Sequence, residues 1–389
     1  MAHAYGLDAA GEALVAGPLA KAKAVAAANA ASVDAERRFP LEAMAALGEQ
    51  GLLGISVPKE HGGLGLDPAA FCAAAEELGA ACASTAMVFV MHVSATAAIA
   101  ASPTLAGKAD LLRSIAKGKH LTTLAFSEKG SRSHFWAPMS KLKENGRGYV
   151  TSAKKSWVTS AAHADSYVSS AQAPNAASPM ESTLYLVRRT AKGVGPAGGF
   201  EGLGLRGNDS TPVDLVDVAV SRDDLLTPPG KGADAMLQVV LPWFALGTSG
   251  MSNGLCRSAL GATLDHVSKT AFEHLGSALR DLPTMRARVA KMSVTTEQSR
   301  AMLGRTLAAM GAGAADTPLL VLQSRLAALD AALDVTDGAM KACGGAAFSR
   351  HLPLERTFRD ARAGWVMAPT ADHLQEFVGR ALTGLPLFG

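Results

Sequence analysis

The chain has 389 residues, 48% of them apolar, 18% charged and 5% aromatic, with a formal net charge of +3. That length calls for two or three domains rather than one small core. So small a charge, with no basic run carrying interleaved aromatics, excludes a phosphate-neutralising nucleic-acid surface. Cys72, Cys82, Cys256 and Cys343 form no CxxC pair, which points away from a disulfide framework or a zinc site and toward a reducing, cytoplasmic setting. No secretory pattern is seen at the N-terminus. The longest apolar run, Ala235 to Gly247, is broken by Gln238 and Pro242 and is too short to cross a bilayer.

In chain order, residues 1–121 read as an N-terminal helical domain. Ala13 to Ala31 consists almost wholly of helix formers. Phe39-Pro40 opens a second helix, with Leu41, Met44 and Leu47 at helical spacing and Gly48 and Gly51 near its end. Residues 67–101 continue in this style, with Phe71, Leu78, Met87 and Val90 among many alanines. Residues 122–230 change to short β-branched and aromatic runs broken by Gly, Asn, Asp and Pro, as in GYVTSAKKSWVTSA and VDLVDVAV. Such strands at short spacing suggest an antiparallel barrel or sandwich.

Residues 231–389 return to a helical pattern and read as a bundle. Leu319, Leu322, Leu326, Leu329 and Leu333 give a narrow apolar seam on one long helix. Asp316 or Thr317 can cap that helix, Pro318 suits its first turn, and Gly344-Gly345 closes it. The expected fold class is mainly α with a central β-domain. Abundant alanine and glycine with few aromatics fits close helix packing.

Several segments carry recognisable motifs. Gly51 to Asp67 reads GLLGISVPKEHGGLGLD, Ala125 to His134 reads AFSEKGSRSH, and Gly148 to Ala161 reads GYVTSAKKSWVTSA. Met340 to Phe348 reads MKACGGAAF, and Arg359-Asp360-Ala361 opens a last segment running to Arg380. Together these resemble the acyl-CoA dehydrogenase family over most of the chain. The resemblance implies an N-terminal helical domain, a β-barrel and a C-terminal four-helix bundle. It also implies FAD, with FMN as the alternative where the adenine side is altered, an acyl thioester substrate (CoA- or carrier-bound), and a homodimer or homotetramer. It names no electron acceptor.

By the same resemblance, Phe126, Ser127 and Ser133 belong to a loop beside the flavin, although Lys129, Arg132 and His134 depart from its pattern. Trp157 would lie against the flavin ring, with Thr159 and Ser160 beside it. Read without the resemblance, these residues are a polar turn and an amphipathic strand with one tryptophan. Lys341, Gly344 and Gly345 match a loop that receives the FAD pyrophosphate from a neighbouring subunit; the plain alternative is a helix C-cap with a solvated lysine. Phe272 replaces an arginine that grips FAD in the family, and Pro283 replaces a downstream glutamine. Gly202-Leu-Gly204-Leu-Arg-Gly207 fits GxGxxG by letter, but strand-like residues follow it rather than a helix, so it reads as a turn.

The departure with the largest chemical consequence is at Met367-Ala368-Pro369-Thr370. The family's Tyr-Glu-Gly-Thr stands there, and its glutamate is the base that removes the proton next to the thioester carbonyl. Ala368 cannot ionise. Some relatives carry the base on the first bundle helix, at Phe244 by alignment, which cannot ionise either. Thr370 remains as a cofactor-side residue.

Two substitutes present themselves. With Pro369 as a first helical residue, Asp372 falls one turn after Ala368; otherwise it is an acidic residue favoured at a helix start. His92, in the apolar stretch MVFVMHVSATAAIA, is either a displaced acid–base group or a satisfied core histidine. His134 and His373 are weaker candidates. Three functions follow: a thioester dehydrogenase with a displaced base, a flavin monooxygenase of the same superfamily, or a non-catalytic flavin- or thioester-binding protein.

Overall fold

The computed structural model describes residues 3–387. Its N-terminal helices are α1 (Ala9–Leu14), α2 (Ala20–Ala35), α3 (Leu41–Glu49), α4 (Pro68–Ala81), α5 (Ala83–Ala101) and α6 (Lys108–Ala116). The Ala13–Ala31 run is not one uniform helix. Pro18 cannot donate to the helical ladder, and the chain accommodates it in a π turn, Val15–Leu19, between α1 and α2. The Asp67 side chain caps α4 by accepting from Ala70 N at 3.0 Å, with Pro68 at the first helical position. Among the described residues, helix α5 is the one long and apolar enough to cross a membrane, rather than the 235–247 run, but nearly all of it is buried inside the fold. A helix apolar on every face is what a core helix requires.

Two sheets follow. β1 (Thr122–Ala125), β4 (Ser166–Gln172) and β5 (Ser182–Arg188) form one in the order β1-β4-β5. β2 (Lys143–Asn145), β3 (Gly148–Val158), β6 (Val194–Pro196) and β7 (Thr211–Ser221) form the other in the order β2-β3-β7-β6. Tyr149, Ala153, Tyr167, Tyr185, Val213 and Val218 pack in their shared core. The pairing is antiparallel except for β1 and β4, which run parallel. This corrects the purely antiparallel expectation: β2 and β3 lie between the two strands in sequence, and so long a crossover permits a parallel pair.

Val213, Leu215, Val218 and Val220 are buried while Val216 is 61% exposed. The β3–β7 register shifts between Thr151 and Ala153, and this bulge moves the alternation by one residue. That slip is why VDLVDVAV does not alternate strictly.

The chain then runs through α7 (Gly232–Ala235), a π turn (Met236–Val240), α8 (Leu241–Lys269), a small hairpin of β8 (Ala271–Phe272) and β9 (Ser277–Ala278), α9 (Pro283–Gly311), α10 (Thr317–Cys343), α11 (Gly345–Phe348), α12 (Leu354–Val366) and α13 (Ala371–Leu382). Helix α10 packs against α8, α9, α12 and α13. It has no side-chain cap; Thr317 Oγ1 donates to the Ala314 carbonyl instead. Its expected leucine seam is only partly its buried face. Leu319, Leu326 and Leu333 are half-buried, while Val321, Ser324, Arg325, Ala328, Ala332, Val335 and Ala339 are buried. Small residues occupy that face because neighbours press on several sides.

The approach of α4 to α8 is equally tight: a Cβ on Gly254 would lie 2.2 Å from the Glu76 carbonyl oxygen. The Glu76 side chain, fully buried, accepts from Arg257 (2.8 Å), Arg300 (3.0 Å) and the Tyr5 hydroxyl, which ties the N-terminal segment to the bundle.

Candidate functional site

A cavity of about 770 Å³ opens where the two sheets meet α5, α8 and the end of α12. Its first wall is the loop 126–133 after β1. This loop is zipped to β3: Ser156 N donates to Ser127 O (2.8 Å) and Lys129 N to Lys154 O (3.1 Å). Beneath them lies the buried ion pair Lys155–Glu128, at 2.7 Å. Lys155 also donates to Ser170 O (2.7 Å), and Glu128 accepts from Met139 N, Ser140 N and Ser140 Oγ. Burial alone would raise the Glu128 carboxyl; Lys155 and the Ser140 donors outweigh it and hold its pKa below the ordinary value. Glu128 therefore reaches the cavity wall as a locked carboxylate.

Trp157 sits at a second register shift, between Lys155 and Val158, with φ of 56°. A bulge re-aims a side chain, and here the indole leaves the sheet core to stand 70% exposed on the cavity wall. Beside it the Thr159 and Ser210 hydroxyls lie 3.1 Å apart. Both line the cavity, as do Phe126, Ser127 and Ser133. Arg132 and Ser133 are consecutive left-handed residues (φ 49° and 69°), a turn form that gathers backbone N–H groups.

The loop 200–205 closes another side. It is clamped to α12: Arg359 Nη1 donates to Leu203 O (3.0 Å) and Leu205 N donates to Asp360 Oδ1 (2.6 Å). Gly204 is required there, since a Cβ would lie 2.4 Å from the Arg359 carbonyl oxygen. Arg359 is itself fixed by both Asp34 oxygens (2.9 and 2.6 Å) and by Glu355 (2.7 Å). Burial pushes the Asp360 carboxyl up to about 6. So the GxGxxG letters form a turn, and Arg359-Asp360 is the clasp that holds it.

The remaining wall is apolar: Met87 and Met91 from α5, Leu241 and Phe244 from α8, Val366 at the end of α12, and Met367 and Ala368 after it. Arg362 lines it as well, with its guanidinium engaged by Thr336 Oγ1 (2.7 Å) and Asp337 (2.6 Å). The two carboxylates on the wall are Glu128, locked as described, and Glu201, an exposed side chain paired with Arg37 at 3.1 Å. Among the described residues, no histidine lines the cavity.

The expected residues separate into two groups. Phe126, Ser127, Ser133, Trp157 and Thr159 meet at the cavity, together with Phe244 and Ala368. Ser160 does not line it; it is buried in a turn, its N–H donating to Asn208 O (2.9 Å). His92 is a correction. It is fully buried, Nε2 lies 3.0 Å from Leu53 O, and Nδ1 accepts from Thr122 N at 3.1 Å. Burial draws its pKa down to about 4. It is the satisfied core histidine.

Asp372 is the second correction. Pro369 lies outside α13, which starts at Ala371, and the Thr370 side chain caps that helix through His373 N (3.4 Å). Asp372 is thus an exposed first-turn acid away from the cavity. His134 and His373 face each other, with ring centroids 5.1 Å apart, outside the cavity lining. Lys341 lies in a small groove with Arg288 and Lys291 and pairs with Asp337 at 3.5 Å. Gly344 caps α10 at φ 53° and Gly345 begins α11. Phe272 lies in the small hairpin and Pro283 opens α9. In the single chain these C-terminal residues are apart from the cavity lining.

Sequence reasoning missed one group altogether. Arg325 is fully buried on α10, behind Phe244 and Met367. Its only sequence signal is a lone arginine inside an apolar helical run.

The family model for the acyl-CoA dehydrogenase N-terminal domain matches residues 12–119, and that for the C-terminal domain matches residues 230–383. A curated relative, the mitochondrial short-chain specific acyl-CoA dehydrogenase of Bos taurus, is 28% identical over 345 residues, covering 88% of this chain and 82% of its own length. Butyryl-CoA dehydrogenase from Megasphaera elsdenii superposes with a TM-score of 0.90 at 20% identity, covering 97% of this chain and 99% of its own. The FAD complex of PigA superposes with a TM-score of 0.89 at 18% identity, covering 97% and 98%. The three-part architecture, the two family domains and the curated relative agree: the chain belongs to the acyl-CoA dehydrogenase family.

Proposed function

We propose that the chain is an FAD-dependent oxidoreductase acting on the CH–CH bond of an acyl thioester, with no side chain of its own poised as the α-proton base. The observation that carries this reading is the cavity's division into two halves. One half presents the 70% exposed Trp157 indole beside the Thr159 and Ser210 hydroxyls. An exposed tryptophan at a bulge, facing a cavity, fits a flat heteroaromatic ring, which can stack on it. Phe126, Ser127 and Ser133 then border that ring, and Lys341, Gly344 and Gly345 would meet the pyrophosphate of FAD held by another copy of the chain. The other half, with Met87, Met91, Leu241 and Phe244, fits an apolar acyl chain.

FAD, when bound, supplies the hydride acceptor. The chain's residues orient the acyl group, exclude water and present N–H and hydroxyl donors. The two wall carboxylates are engaged, Glu128 by buried Lys155 and Glu201 by Arg37, and no imidazole lines the wall among the described residues, so proton removal rests on solvent or on the ligand. Removing a general base typically slows such a step by about 10²- to 10⁴-fold.

The base-free wall also favours a second reading, a monooxygenase in which reduced flavin meets oxygen and no α-proton is taken. Anaerobic mixing of the FAD-loaded protein with an acyl-CoA series separates the two. Bleaching by any thioester supports the dehydrogenase. No bleaching, with rapid oxygen uptake by the chemically reduced protein, supports the monooxygenase. A colourless protein that takes up neither FAD nor FMN leaves only a thioester-binding role.

A further inference from the structure

Arg325 is a cation without a counter-ion. Its side chain is fully buried, and no carboxylate of the described residues pairs with it. Nη2 donates to the Met367 carbonyl at 3.1 Å, while Nε and Nη1 have no partner. The Phe244 ring covers the guanidinium, with Cζ 4.5 Å from the ring centroid. Burial draws the guanidinium's pKa down to about 9. A guanidinium offers five donors in a fixed fork, and a buried charge left unpaired is strongly unfavourable. Nothing in the α10 packing satisfies the remaining N–H groups.

Its position gives the deficit a meaning. The two residues that meet the guanidinium, Phe244 through its ring and Met367 through its carbonyl, both line the cavity, and Ala368 adjoins Met367. The cation thus lies one side-chain layer behind the acyl half, at the end where the wall lacks a carboxylate at both 244 and 368. The ligand can bring what the wall omits.

We propose that Arg325 forms a carboxylate subsite: the acyl half takes a ligand carrying a carboxylate, which turns the Phe244 ring aside and accepts from the guanidinium's unsatisfied N–H groups. The natural ligand class is a thioester of a dicarboxylic acid rather than of a plain fatty acid. The thioester part of this statement rests on the proposed function; the carboxylate part rests on Arg325 alone. Hydrogen bonds from a guanidinium to a carboxylate are charge-assisted and about twice as strong as neutral ones.

Calorimetric titration of the purified protein tests it. The probes are ω-carboxyacyl-CoA thioesters such as glutaryl-CoA, plain acyl-CoA thioesters of matched length, and free glutarate. The variants are Arg325→Met, Arg325→Lys and Phe244→Ala. The carboxylated thioesters should bind about 10- to 100-fold more tightly than the plain ones. That preference should fall below about twofold in Arg325→Met, persist in part in Arg325→Lys, and survive in Phe244→Ala. Thermal melting establishes that each variant is folded, and the lysine variant keeps the charge if the methionine variant fails.

Equal affinity for both thioester classes, or a preference unchanged in Arg325→Met, would overturn the subsite while leaving the thioester reading intact. Binding of free glutarate that depends on Arg325, with no thioester bound, would uphold the subsite and remove the thioester reading. Binding of none of the probes would remove both and leave Arg325 hydrated by a buried water only.

Discussion

Phe244→Glu is the most informative single change. Phe244 is 9% exposed and its ring centroid lies 4.5 Å from Arg325 Cζ, so a glutamate there brings a carboxylate to the orphaned cation. At that separation and an effective dielectric of about 20, the attraction is about 4 kcal/mol, before the carboxylate's own desolvation is subtracted. The surviving gain should be in the range of a charged hydrogen bond, about 1.5–3 kcal/mol. Losing the phenylalanine removes about 1.5–3 kcal/mol of apolar burial, so the glutamate variant should stay close to the parent. Phe244→Gln, equal in size but uncharged, suffers the loss without the gain.

Urea unfolding at neutral pH should therefore rank Phe244→Glu above Phe244→Gln by about 1.5–3 kcal/mol. A glutamate variant less stable than the glutamine variant would refute an unpaired, charged Arg325, and with it the argument for the subsite.

Trp157→Ala should weaken FAD binding by about 1–3 kcal/mol, the range for stacking of a heteroaromatic base, which fluorescence titration reads as roughly 5- to 150-fold in Kd. The melting temperature should hardly move, because the indole is mostly exposed; unchanged FAD affinity would remove Trp157 from the site. Lys155→Met leaves the Glu128 carboxylate buried without its cation and should lower stability by about 3–5 kcal/mol, read from the denaturant midpoint. Stability should also fall with acid between pH 6.5 and 4. His92 and His120, both drawn down to about 4 chiefly by burial, stay neutral when folded and take up protons on unfolding, so the unfolded state gains as pH drops through that window. The full effect for His92 is about 3 kcal/mol. Asp360, raised to about 6, holds an extra proton when folded and cancels part of this below pH 6. A denaturant midpoint flat from pH 6.5 to 5 would contradict the buried-neutral assignment.

Much of this was legible in the sequence, for local reasons. Alternation, turn residues and the Lys155, Trp157, Thr159 spacing are properties of short segments, and they located the β-domain and the Trp157 side of the cavity. The misreadings all depended on what a segment packs against. The α10 leucines looked like the buried seam, but crowding by four neighbours selected the face of small residues. Pro369 reads as a helix start, yet Thr370 supplies the cap, and Asp372 moves off the cavity. His92 looked available until the Leu53 carbonyl and Thr122 amide, one 39 residues away and the other 30, took both its nitrogens. The Arg359 clasp and the unpaired Arg325 involve partners far apart in sequence, and spacing carries no trace of them.

The central claim is a flavin site without a protein base. Anaerobic stopped-flow reduction of the FAD-loaded protein by acyl-CoA, followed against pH, tests it most directly. The account predicts slow bleaching with no inflection from a carboxylate or imidazole between pH 5 and 8, accelerated about 10²- to 10⁴-fold by Ala368→Glu. Fast bleaching in the parent protein with a clear inflection in that range would contradict it.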